Sequence, residues 1–124
     1  MTDEKLQMIA AKGTRSGLSI LRLTGPLSIH TLFAFHDAVR KDPPPALILD
    51  FSGVPYMDSA GLGVLVGAQV TAQKAGRTLA ITGINQQVRA LLEMTHVLGI
   101  FQLFQTVEEA EAGLAAQPRQ SSPG

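Results

Sequence analysis

The chain has 124 residues, 45% of them hydrophobic and only 16% charged, which suits one folded domain rather than two cores or a disordered chain. Its 10 basic and 10 acidic side chains cancel, so it lacks the surplus of Lys and Arg that binding to a phosphate backbone requires. The absence of cysteine excludes disulfides, thiol nucleophiles and cysteine-ligated metal centres.

The opening residues, with Asp3 and Glu4 and no apolar run behind them, do not read as a secretory leader. Residues 6–10 suggest a short strand that turns through Gly13 and Gly17. Leu18, Ile20, Leu21 and Leu23 predict a second strand over residues 18–24, ended by Gly25-Pro26. The two strands predict an opening hairpin at a sheet edge. Ser28 is placed to cap a helix running to Arg40, with Ile29, Leu32, Phe35 or His36, and Val39 along one face. Pro43-Pro44-Pro45 stops it. Ala46-Leu47-Ile48-Leu49-Asp50-Phe51 is apolar up to Asp50, as a central strand covered on both faces would be.

A second helix is expected over residues 59–75, with Leu62, Leu65, Val66 and Val70 inward and Gly76 as its stop. No apolar run here reaches the roughly 20 residues of a membrane span, so membrane insertion is not expected. Residues 78–82 alternate as a strand, and Asn85 can cap a third helix carrying Val88, Leu91 and Leu92. Residues 100–104 predict a last strand. Thr106 and Glu109 have capping-box spacing for a final helix through Ala116. Residues 117–124, with two prolines and little apolar surface, predict a flexible tail. Alternating strands and helices after a hairpin give the fold class: a single α/β domain over residues 1–116, with a mixed sheet and about four helices.

The chemistry concentrates in Asp58-Ser59-Ala60-Gly61-Leu62-Gly63, at the start of the second helix. Gly61 and Gly63 each cost about 1 kcal/mol of helix propensity, which close approach of another surface would offset. Asp58 or Ser59 as a plain helix cap explains both residue types. The same place also suits a phosphoserine, because free N–H groups and the helix dipole favour negative charge there by roughly 0.3–1 kcal/mol. Residue chemistry leaves both readings open.

Other arrangements are weaker. Met57-Asp58-Ser59-Ala60-Gly61 half-matches a nucleophile elbow, with Glu93 and His96 following in order. Its first glycine is missing, however, and Glu93 and His96 lie three apart on one helix rather than on converging loops. The glycines from Gly61 to Gly67 do not meet the spacing of a dinucleotide fingerprint, and Gly63 with Gly67 reads more simply as close packing on a neighbour. His30, His36 and His96 do not have metal-ligand spacing. Phe33 and Phe35 read as core or interface, and Glu108, Glu109 and Glu111 as a solvated helix start.

The 58–63 segment, preceded by Leu47-Ile48-Leu49-Asp50-Phe51, resembles the signature of the STAS domain family, and the chain is most similar to its anti-sigma factor antagonists. Gly25, Thr31, Ile81-Thr82-Gly83, Val88-Arg89-Ala90-Leu91-Leu92 and Leu98-Gly99-Ile100-Phe101 extend the likeness over residues 6–112. The resemblance implies a cytoplasmic regulatory protein with no catalysis or cofactor of its own. Its implied partner is an anti-sigma factor that is also a serine kinase. That kinase would modify Ser59, and a serine phosphatase would reverse the step. The implied contact surface is Tyr56, Met57, Asp58, Ser59, Ala60, Gly61, Leu62 and Gly63, with Ser28 and Thr31 at its edge. Ser28 departs from the pattern, since an Asp is usual shortly after the glycine of the second strand. No direct nucleic-acid binding is expected, and homodimerisation is left open. A subunit of an ABC-type membrane lipid transport complex, or a stressosome-like scaffold, would share the same motif.

Overall fold

The computed structural model describes residues 5–116, so the tail expected over residues 117–124 lies outside them. The elements run β1 (Gln7–Lys12), β2 (Leu18–Thr24), α1 (Leu32–Arg40), β3 (Ala46–Gly53), α2 (Ser59–Lys74), β4 (Thr78–Thr82), α3 (Gln86–Met94), a 3₁₀ turn (Leu98–Ile100), β5 (Gln102–Phe104) and α4 (Val107–Ala116). The five strands lie in chain order, with β1 antiparallel to β2 and every later pair parallel. A mixed sheet with an opening hairpin is what the sequence predicts.

The strand sequences divide their side chains between two cores. Leu21, Leu23, Leu49, Phe51, Leu79 and Ile81 face one side, where Phe35 of α1, Leu62 and Leu65 of α2, and Val88 and Leu92 of α3 cover them. Leu18, Ala46, Ile48 and Ala80 face the other side, where Ala110 and Leu114 of α4 pack. Because β3 is covered on both faces, its apolar run is continuous rather than alternating.

The helix ends follow local chemistry. Asn85 Oδ1 accepts from Val88 N at 2.9 Å, the cap expected for α3. Its Nδ2 donates to the Pro55 carbonyl at 2.9 Å, which fastens α3 to the loop after β3. Thr106 Oγ1 accepts from Glu109 N at 3.0 Å, and Glu109 Oε1 reaches back to Gln105 N at 3.2 Å. Gly76, at φ 72°, closes α2: its N–H reaches the Gln73 carbonyl while Arg77 N–H reaches Ala72.

Four local expectations are corrected. Helix α1 starts at Leu32, not at Ser28, because the residues before it form a hydrogen-bonded turn instead. Ser28 Oγ accepts from His30 N at 3.2 Å, and Ser28 N donates to Thr31 Oγ1 at 2.9 Å. Ile29 therefore points outward, 54% exposed, rather than into the core. On α2 the inward stripe is Leu62, Leu65, Gln69 and Ala72, leaving Val70 38% exposed. Ile100 and Phe101 bond back to Val97 and Leu98, so the last strand starts only at Gln102. Gly63 and Gly67 do not sit against a neighbour, for nothing lies within 4 Å of where a Cβ would stand on either.

Candidate functional site

The C-terminal ends of β2 and β3 deliver two loops that meet at the start of α2. Past a bulge between Arg22 and Thr24, Gly25 takes φ 113° and donates its N–H to Gly53 O at 2.9 Å. An isolated parallel bridge then joins Leu27 to Met57. Leu27 N donates to Tyr56 O, and Asp58 N donates to Leu27 O, each at 3.2 Å. The β2–β3 pairing is thereby prolonged beyond the strands and sets the residues before α1 beside those before α2.

Asp58 is the clasp between them. One carboxylate oxygen accepts from Gly61 N at 2.8 Å, capping α2, and the other accepts from Ile29 N at 3.0 Å across the loops. Burial pushes this carboxyl up, but the N–H groups of Gly61, Ile29 and Ala60, helped by nearby His30, outweigh it and hold the pKa below the ordinary value. Asp58 is therefore an ionised structural anchor whose oxygens are already occupied, and it makes a poor general base.

Close packing explains one of the two glycines. A Cβ on Gly61 would overlap the Leu27 carbonyl oxygen, so this position must be Gly for the loops to meet. The surface pressed against Gly61 is the chain's own loop. Gly63, two residues on, is exposed and faces open space.

Ser59 is the first residue of α2 and is exposed. Of the residues singled out in the sequence, Met57, Gly61, Leu62, Ser28 and Thr31 are buried, Tyr56, Asp58 and Ala60 half-buried, and only Ser59 and Gly63 exposed. Thr31 is part of the scaffold: its hydroxyl accepts from Ser28 N and donates to Pro26 O, both at 2.9 Å. The five buried positions therefore shape the site from beneath.

Two residues at this end escape the sequence reading of the contact surface. Ile29 carries the N–H held by Asp58, and Phe33 follows on the first turn of α1, 74% exposed. Exposed apolar side chains grouped in a patch mark protein interaction sites, where aromatic residues are enriched. Phe33 falls off the stripe of Leu32, Phe35 and Val39, which is the available signal for it, whereas Ile29 fits that stripe and carries no such signal.

The remaining candidates lie elsewhere. Glu93 pairs with Arg89 on its own helix at 3.8 Å, whereas His96 lies past the end of α3, at φ 61°, and not on one helix with Glu93 as expected. Asp50 is buried within β3. Its carboxylate accepts from Arg22 Nε and Ser52 N, both at 3.0 Å. Burial raises its pKa, but the Ser52 bonds and then Arg22 more than reverse that and leave it lowered.

Comparison with known proteins follows the same geometry. The family profile described as the STAS domain matches residues 10–110. An anti-sigma F factor antagonist of Paenibacillus polymyxa is 28% identical over 92 residues, covering 71% of this chain and 79% of its own. The anti-sigma-F factor antagonist RsfB of Mycobacterium tuberculosis is 28% identical over 105 residues, covering 80% and 83%. The crystal structure of an anti-sigma factor antagonist from Mycobacterium paratuberculosis superposes with a TM-score of 0.78 at 22% identity, covering 89% of this chain and 94% of that one.

Proposed function

Since this chain belongs to the STAS domain family, matched over residues 10–110, we propose that it acts as an anti-sigma factor antagonist switched by phosphorylation of Ser59. In this reading the unmodified protein binds an anti-sigma factor that is also a serine kinase, and so releases a sigma factor in the cytoplasm. The chain performs no chemistry of its own. Ile29 and Phe33 supply the apolar contact, while Ser59 and Gly63 present the start of α2 without bulk.

The observation that carries the proposal is an exposed hydroxyl on the first residue of a 16-residue helix, next to a carboxylate held ionised by backbone donors. In the kinase step, Ser59 Oγ attacks the terminal phosphorus of the partner's ATP. The bond to ADP breaks, and the hydroxyl proton passes to a base of the kinase. The product carries about −1.5 to −2 charge beside Asp58. Asp58 already takes the Gly61 and Ile29 N–H groups, so the phosphate finds the helix-end donors partly spent and a like charge adjacent. Repulsion then acts on the loop that presents Ile29, and the partner loses both apolar contact and charge match. A serine phosphatase resets the surface by hydrolysing the ester.

The test is to co-purify the partner, incubate the pair with ATP and map the modified residue by mass spectrometry. Phosphate on Ser59, with Ser59→Ala binding the partner yet resisting modification, is the expected result. Modification at another residue would refute the switch. A co-purifying transporter ATPase with membrane proteins would refute the sigma-pathway assignment.

A further inference from the structure

A second feature lies on the same side of the sheet as α1 and α2, away from the Ser59 loops. Between those helices runs an open groove of about 340 Å³, within the range of small-molecule sites. Leu47 and Leu79 form its floor, and Val39, Val64 and Ala68 line its walls. Gly63 and Gly67 open onto it, and neither glycine is required by a neighbour, in contrast to Gly61. Along α2 it extends from Gly63 to Ala72, about 13 Å at 1.5 Å per residue.

The charges at the groove have one sign. Arg40 ends α1 and Arg77 directly precedes β4, so both stand at the end of the sheet opposite Ser59. Among the described residues neither guanidinium has an ion-pair partner, and no Asp or Glu lines the groove. His36, also on the lining, has the exposed Asp37 carboxylate at 4.0 Å. An apolar trough ending at two guanidinium groups is complementary to a molecule with a hydrocarbon tail and an anionic head, which Arg binds in fork geometry.

We propose that the α1–α2 groove binds a single-chain anionic amphiphile of the fatty-acid class, with its head at Arg40 and Arg77 and its tail directed toward Gly63. The proposal does not rest on the Ser59 switch: the head group sits at the other end of the sheet, and Gly63, at the tail's end, is the residue common to both surfaces.

The test titrates the full chain with sodium dodecanoate below its micelle concentration, followed by calorimetry and by amide shifts. Saturable 1:1 binding is expected, with shifts at Val64, Gly67, Ala68 and Leu79. Hexanoate, which lacks the tail, and dodecanol, which lacks the charge, should each bind at least tenfold more weakly. The double variant Arg40→Glu/Arg77→Glu should lose at least tenfold in affinity. Gly67→Leu, which fills the groove from an open position, should do the same while melting at or above the wild-type temperature. Unchanged affinity in the arginine double variant would overturn the proposal. So would shifts confined to Ile29, Phe33 and Met94, the exposed apolar side chains outside the groove, or binding only to vesicles of anionic phospholipid with no response to dodecanoate.

Discussion

Asp58 shows how one side chain can serve two loops. Its role as cap of α2 is legible in the sequence as one of two choices, Asp58 or Ser59, of which the structure takes the first. Its second bond, to an N–H 29 residues away, is not, since only the β2–β3 register brings Ile29 there. The lowered pKa values of Asp58 and Asp50 make a prediction about acid. A depressed folded-state pKa contributes stability that is fully present above the unfolded value, near 3.8, and is lost as pH falls through the folded value. Urea midpoints should therefore fall as the pH is lowered below about 4. Asp50→Asn should be less stable at neutral pH yet show a flatter acid limb. An unaltered slope in that variant would show that Asp50 does not contribute to it.

At the scale of elements, the first two turns of α2 separate two reasons for a glycine. Gly61 lies against the Leu27 carbonyl, so Gly61→Ala must push the loops apart, at a cost of about 1–3 kcal/mol. Gly63 has open space around it, so Gly63→Ala should stabilise the helix by about 0.5–1 kcal/mol. Opposite signs from the same substitution two residues apart, read from urea midpoints, check the placement of both. Propensity alone assigns the two residues the same cost and cannot tell them apart. The start of α1 has the same origin. Ile29, Leu32, Phe35 and Val39 fit a helical stripe on paper, but the Ser28 and Thr31 side chains bind the backbone first, and the turn they form rotates Ile29 outward.

Over the whole molecule, the two cores share one sheet while the proposed switch lies at its rim. A charge placed on Ser59 touches neither core, so Ser59→Glu should leave the unfolding free energy within about 0.5 kcal/mol of wild type. Partner affinity should fall sharply in the same variant. A large stability loss would mean that the effect is on folding rather than on docking. With 10 acidic and 10 basic residues in balance, a phosphate worth nearly two charges is a large local change against a neutral background.

The sequence by itself determined the order and type of the elements, the double-sided burial of β3, the Asn85 cap of α3 and, as one of two candidates, the Asp58 cap of α2. Each of these depends on short-range spacing or on a backbone group a few residues away. Tertiary structure alone decided which of those residues reach solvent. The parallel bridge from Leu27 to Met57 sets the two loops side by side, with Ser28, Thr31 and Gly61 buried and Ile29, Phe33 and Ser59 outside. It also decided that Gly63 and Gly67 border an open groove. Exposure depends on which distant segment arrives to cover a residue, and only the register of the sheet brings those segments together.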